Sequence, residues 1–361
     1  MPTGTGAVTL QTIPVSPFVT DPDAFFGMTE KNVQTVHTVT PGAGKSKTES
    51  IPQVGIIAKL LITFVGQLVV TTAAATTGDR WPYGILSNYL LSANATNDLW
   101  SCDGVDLQVL RFLRYPAYRE FVDQFPDVVG GGGAIAVGTY PLYLTFEVPI
   151  AVDEYSLVAS LFAQSSAVNI RHKLTQATSA ELFTANPANA VITGDFFVES
   201  TTFEVPFDGE GRMVIPDLSR LHGFNSFDTP ISNVGDARTE VVRSDGQLLR
   251  LFVSARNNPT SRLSAAANAA STKKLETLRI QYGGNQRPLE WDPASKLLAR
   301  NGMDYGAPLP YDRLAVDNLK ENPARDLFLL QGVTELVAVP RVGAGVTVAG
   351  GSVRLVQETL F

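Results

Sequence analysis

Apolar and polar residues alternate through Tyr140–Pro149, Val168–Leu174 and Phe196–Val205. That period of two predicts strands with one face on a core. Ile56–Thr72 differs: Ile57, Leu61, Ile62, Phe64, Val65, Leu68, Val69 and Val70 form a nearly continuous run with a Thr/Ala tail to Thr77. Such a run predicts a strand covered on both faces, or one bent between two sheets. In the second half Leu249–Ala255 predicts a long strand, Leu327–Val339 a strand pair, and Val346–Val356 a last one. Helical spacing is confined to short stretches: Leu107, Leu110, Phe112 and Leu113 after Asp103, continuing to Phe125, and Leu297 and Leu298 after Asp292. Many short strands between turn clusters, with so few helices, predict an all-β sandwich architecture.

The order of elements occurs twice. Asn88–Arg111 runs through strand, polar turn, Trp100, acidic cap and amphipathic helix, and Leu278–Asn301 repeats the series around Trp291. Trp100 and Trp291 lie 191 residues apart, as do Asn94 and Asn285, so one register aligns both landmarks. A spacing this long is a duplicated domain rather than a solenoid repeat of roughly 20–50 residues. Gly283-Gly284-Asn285 predicts the turn. Asp103 predicts one helix cap, and Asp292 before Pro293 the other. Both tryptophans are expected in the core where strand meets helix. The Gly-interrupted stretches Val191–Val205 and Val346–Val356 close the two copies alike.

Three regions follow: an extended arm over 1–50, a first domain over 51–210 and a second over 211–361. The arm is rich in Thr, Pro and Gly, with Phe18, Phe25, Phe26 and Met28 as apolar anchors. Its charges are mixed, unlike the basic blocks that bind RNA. Gly130–Gly133 and Asn257–Ser271 are expected as surface loops.

Composition narrows the function. Charged residues make up 17% of 361, which is low and leaves large surfaces suited to contact with other protein. With 28 basic against 35 acidic residues the net charge is −7, which argues against a phosphate-neutralising partner. Met1–Leu10 lacks the pattern of a secretory leader. The longest apolar run, Ile56–Val70, is interrupted by Lys59, Gly66 and Gln67 and is too short for a spanning helix.

Candidate chemistry is sparse. His37, His172 and His222 stand in three contexts without metal-site spacing, so each is expected to be structural and no metal is expected. The single cysteine, Cys102, cannot form an internal disulfide and is expected as a small core residue. Gly44-Lys45-Ser46 lacks the earlier glycine of a phosphate loop. Asp153, Glu154, Asp195, Glu199 and Glu204 could supply a glycosidase pair only if they met in one cleft. Asn94-Ala-Thr96 fits a glycosylation acceptor. No catalytic residue and no cofactor are assigned, and the chain is not expected to be an enzyme.

Leu60–Thr76, Trp81-Pro-Tyr-Gly-Ile-Leu and Asp103-Gly-Val-Asp-Leu-Gln-Val-Leu in the first half are similar to a known family. So are Tyr282-Gly-Gly-Asn-Gln-Arg-Pro-Leu-Glu-Trp and Leu298–Gly306 in the second. The chain resembles the double jelly-roll major capsid proteins of tailless, membrane-containing icosahedral bacteriophages, the tectivirus-like group. The resemblance spans roughly residues 50–361, as scattered motifs rather than a continuous match. It implies two eight-stranded jelly rolls side by side, and homotrimers that tile a virion shell with neighbouring capsomers over an internal lipid membrane. It also implies penton or minor capsid proteins as further partners, an arm that reaches the membrane or a neighbouring subunit, and no direct contact with nucleic acid. Two readings on the same architecture compete: a two-domain carbohydrate-binding or glycan-processing protein, and a bicupin-like metalloenzyme, which the scattered histidines do not favour.

Overall fold

The structure is a computed structural model. It describes residues 25–361 apart from 95–96, 116–125, 127–132, 154–155, 165–167, 217, 241–245, 259–260, 264–274, 283–288, 308, 310–312, 320–327, 330–335 and 344–350.

The first roll is built from β1 (Lys31–Val39), β2 (Ser46–Ser50), β3 (Ile56–Val70), β4 (Leu86–Ala93), β5 (Asn97–Cys102), helix α1 (Gly104–Arg114), β6 (Gly138–Pro149), β7 (Ile170–Gln176) and β8 (Ala190–Phe203). The strands form two sheets, β1-β8-β3-β6 and β2-β7-β4-β5. β3 explains its own apolar run: from Leu60 its even positions Leu60, Ile62, Phe64, Leu68 and Val70 face the core and its odd positions form a half-covered outer face, while a register shift near its start buries Ile57 in that core and Ile56 and Ala58 in a neighbouring cluster. At its centre Gly66 pairs with Gly194 of β8. A Cβ on Gly194 would lie 2.5 Å from the Val65 carbonyl oxygen and 2.6 Å from Gly66 Cα. Gly194 therefore admits a close approach inside one continuous strand, rather than interrupting a strand pair.

The second roll repeats the order with β9 (His222–Pro230), the short β10 (Gly235–Asp236) and β11 (Thr239–Glu240), β12 (Gln247–Asn258), β13 (Leu275–Tyr282), β14 (Leu289–Trp291), helix α2 (Ser295–Tyr305), β15 (Leu314–Asp317), β16 (Leu336–Val342) and β17 (Ser352–Leu360). Its sheets are β9-β17-β12-β15 and β16-β13-β14, with β10 and β11 pairing β16. With the short β10 and β11 together standing where β2 stands in the first roll, the described strands of the two rolls correspond, and a helix follows β5 in one and β14 in the other. The register set by the two tryptophans is thus a structural one: Trp100 lies on β5, and Trp291 on its counterpart β14.

Three expectations are corrected. Residues 31–50, expected within the arm, supply β1 and β2, because their backbones pair with β8 and β7 as edge strands of the first sandwich. The N-cap of α2 is Ala294, with no side-chain cap bond, rather than Asp292. The pair expected over Leu327–Val339 belongs to two sheets, since Phe328–Leu329 pairs β12 while β16 pairs β13. Asp103 does cap α1.

Phe25 is buried and stacks edge-on with Phe26 and Phe203, so two of the apolar anchors hold the chain just before β1. Residues 1–24 with Phe18, the continuation to Phe125, most of Gly130–Gly133, most of Asn257–Ser271, the Gly283–Asn285 turn and the sequon residues Ala95 and Thr96 lie outside the described residues. Among the described residues, no helix is long and apolar enough to cross a membrane.

Candidate functional site at the junction of the rolls

The rolls share a sheet. β5 of the first pairs in parallel with β9 of the second, Phe224 opposite Trp100 and Asn225 opposite Ser101, so two four-stranded sheets become one. Trp100 is fully buried at this joint, with its ring 5.2 Å from Phe224 and 5.1 Å from His222. Its ring neighbours belong to the second roll, so it packs between the domains. Trp291 is half-buried against the second roll's core.

The start of α1 carries the chemistry of the joint. Asp103 accepts from the Asp106 backbone N–H at 2.9 Å, and Asp106 accepts from the Asp103 N–H at 3.2 Å, which closes a reciprocal cap. The remaining carboxylate oxygens meet Arg313, Arg354 and Arg256 of the second roll and Arg80 of the first. Arg313 donates to Asp106 Oδ1 at 2.6 Å, and Arg354 to Asp106 Oδ2 at 2.6 Å. Arg80 donates to Asp103 Oδ2 at 3.1 Å, with Arg354 and Arg256 at 3.4 and 3.6 Å. Arg354 also bonds Asp228 and Ser226. Burial raises the Asp103 carboxyl, but Arg354, Arg80, Arg256 and Arg313 more than reverse this and hold it far below the usual range. Burial and the neighbouring Arg354 push the Arg256 guanidinium down to about 10, against the pull of Asp103.

A second polar group lies further along the joint. His222 Nδ1 meets the Pro149 carbonyl of the first roll at 2.9 Å, and Nε2 meets Glu358 at 3.1 Å. Arg250 bridges Glu358 at 2.8 Å and Asp317 at 3.0 Å, and Tyr305 donates to Asp317. Burial pushes the Glu358 carboxyl up, yet Arg250 and His222 outweigh it and bring it to about 2.

Buried ion pairs are weak evidence for net stability, but breaking one is costly. These groups are held by one another rather than presented to a ligand. Arg250 and Glu358 border a recess of about 370 Å³ beside Leu113 and Val152, and there too they bond each other. The arrangement fixes one roll against the other.

The other candidate residues are dispersed. Asp195 and Glu199 lie on the outer face of β8, about 13 Å apart at the usual strand rise, wider than either glycosidase geometry. Asp153 caps a turn by accepting from the Ser156 N–H at 3.1 Å. Glu204 is held through its backbone at Thr29 and Glu30, and Glu154 lies outside the described residues. Ser46 begins β2, and Gly44 turns into it at φ +70°. Cys102 is buried in the first core, where its thiol is pushed up by burial and then by Asp106 and Asp103.

Two of the histidines, far apart in sequence, meet in the fold. A bulge in β1 between Thr35 and His37 turns His37 inward, where it stacks on His172 of β7 at 5.1 Å. His37 Nε2 meets the Ser50 carbonyl at 2.8 Å. His172 is 1% exposed, and neither of its ring nitrogens has a partner. Burial, and then His37, lowers it to about 4.

The ionic joint escaped the sequence reading, although a signal was present. Arg250, Arg256 and Arg354 alternate within apolar strands, and a charge on the period of a doubly buried strand needs an internal partner.

No family model matches the chain. No curated protein matches it in sequence. Solved structures do match. The major capsid protein of Sulfolobus turreted icosahedral virus superposes with a TM-score of 0.67 at 18% identity, covering 92% of this chain and 96% of that one. VP54 of PBCV-1, fitted into a reconstruction of the virophage Sputnik, gives 0.62 at 10% identity over 92% and 94%. The major capsid protein P2 of bacteriophage PM2 gives 0.53 at 10% identity over 92% and 98%. Together with the strand order of both rolls, these likenesses show the fold: the chain is a double jelly roll of the kind found in viral major capsid proteins.

Proposed function

We propose that the chain is a major capsid protein, a structural subunit that self-assembles into trimers of six rolls and tiles an icosahedral shell. The observation that carries the reading is the tandem of two like rolls locked by a shared sheet and a buried ionic joint. A rigid pair of equivalent units turns a three-fold assembly into a near-hexagonal tile. The low charge fraction suits extensive subunit contacts. The chain divides near residue 210, between β8 and β9, with the first roll beginning at Lys31 rather than at residue 51. A location in the virion shell, an internal membrane beneath it, and penton or minor capsid proteins as neighbours belong to the same reading.

Light scattering of the purified protein across a hundredfold range of concentration tests it. A species of three chain masses supports the reading. A monomer throughout the range overturns it.

A further inference from the structure

The side of the first sandwich bordered by β1 and β2 is held by little apolar burial. In β1 only Val39 is fully buried, and β2 has no fully buried residue. Among the described residues each is an edge strand, β1 on β8 and β2 on β7. A pair of imidazoles crosses from one sheet to the other there. His37 of β1 stacks on His172 of β7, with ring centroids 5.1 Å apart and planes inclined by 28°. The Ser50 carbonyl can only accept, so His37 Nε2 carries a proton and donates to it at 2.8 Å, which ties β1 to the end of β2. His172 is buried, and neither of its ring nitrogens has a partner. A neutral ring packs there as an aromatic; an imidazolium would bury a charge and N–H groups that nothing accepts. Both ends of the segment are fastened by apolar side chains. Phe25 and Phe26 pack on Phe203 before β1, and after β2 Ile51 is buried and its N–H donates to the Ile170 carbonyl.

We propose that residues 31–50 form an acid-opened flap: protonation of the stacked His37 and His172 drives β1 and β2 together off the edges of the first sandwich, while the anchors at Phe25 and Ile51 and the rest of the roll hold. The charged groups around the stack do not answer an imidazolium. On β2, Glu49 stands opposite His172 but its carboxylate bridges to Lys47 at 3.7 Å. On β8, Asp195 accepts from Thr40, and Glu199 stands opposite Thr35 on the outer face. On β7, Arg171 and Lys173 flank His172 and add positive charge, and β4, which places Leu91 opposite His172, has no charged residue. Like charges on two stacked rings repel, so protonation of both is resisted more strongly than protonation of one. Burial, and then His37, holds His172 at about 4, whereas a ring freed to solvent returns toward its ordinary 6.5. Closure therefore has its full advantage above pH 6.5, and each unit of acid from there down to 4 favours the open flap by about tenfold. Opening uncovers the edges of β7 and β8, whose backbone groups are then available to another strand. The flap belongs to the single chain and does not depend on its assembly.

Backbone hydrogen exchange of the full-length protein tests it, read by mass spectrometry at about pH 7.5 and about pH 4.5 and corrected for the intrinsic pH dependence of exchange. Protection of residues 31–50 is expected to fall by at least about tenfold in acid, while β3 and β6 keep theirs. In His172→Phe, which keeps a ring but cannot be charged, the fall is expected to vanish. Equal protection of 31–50 at both pH values would overturn the flap. So would a loss shared by β3 and β6, which is unfolding of the whole roll, or the same fall in His172→Phe. A second readout uses the unmodified protein and is independent of how well the variant folds: exchange of the imidazole Cε1 hydrogens gives the titration of each histidine. Titration of His172 over the same pH range in which 31–50 opens supports the flap. Opening while His172 stays neutral, or its titration while the segment stays protected, overturns it.

Discussion

Asp106 is the residue on which the joint between the rolls depends most. In Asp106→Asn the side chain keeps its shape but loses its charge, and an amide N–H₂ replaces one of the oxygens that accept from Arg313 and Arg354 at 2.6 Å. Both guanidinium groups are nearly inaccessible, Arg313 at 1% and Arg354 at 6% exposure, so water cannot replace the lost partner. Breaking a buried pair from one side costs about 3–5 kcal/mol. Asp103 stands 3.4 Å from Arg354 and absorbs part of the excess charge, which places the effect at the lower end, about 3 kcal/mol. That is a large share of the roughly 5–15 kcal/mol by which a folded protein is stable. The assay is urea unfolding at fixed protein concentration, because assembly shifts the apparent midpoint. A triple variant, Asp106→Leu with Arg313→Met and Arg354→Met, removes both sides of the pair and is expected to recover much of the loss. A cost below about 1 kcal/mol for Asp106→Asn would refute the view that this cluster locks the rolls.

Two further outcomes are expected. The ring of His172, ordinarily near 6.5 and here about 4, is neutral in the fold. Its contribution is therefore full above pH 6.5 and is lost as pH falls through 4, on the order of 3 kcal/mol at most. His172→Phe is expected to flatten the decline of melting temperature between pH 6.5 and 4, and an unchanged decline would place the acid sensitivity elsewhere. Gly194→Val would force a side chain against the Val65 carbonyl and Gly66. A loss of about 1–3 kcal/mol is expected, read as a lowered denaturation midpoint.

The parts of the fold legible in the sequence were those that repeat a local rule. β6, β7 and β8 follow from alternation, α1 from Asp103 and the apolar spacing behind it, and the duplication from two tryptophans in register. β1 and β2 were not legible because Lys31–Val39 and Ser46–Ser50 are largely exposed edge strands, whose polar composition matches that of a loose arm. The capping of α2 misled for a different reason: Asp292 and Pro293 carry the right chemistry two positions early, and the helix begins only at Ser295. The joint depends on pairs such as Asp106 with Arg354, 248 residues apart, which no local pattern encodes. The stacking of His37 on His172 likewise required the bulge in β1 and the closure of the sandwich.

The proposed assembly is a six-part ring made from three chains of two locked rolls each. Negative-stain images of the purified protein, classified without imposed symmetry, test it most directly. Class averages with six lobes around a three-fold axis are the expected result. Two-lobed particles alone, at concentrations up to those of assembly, would contradict it.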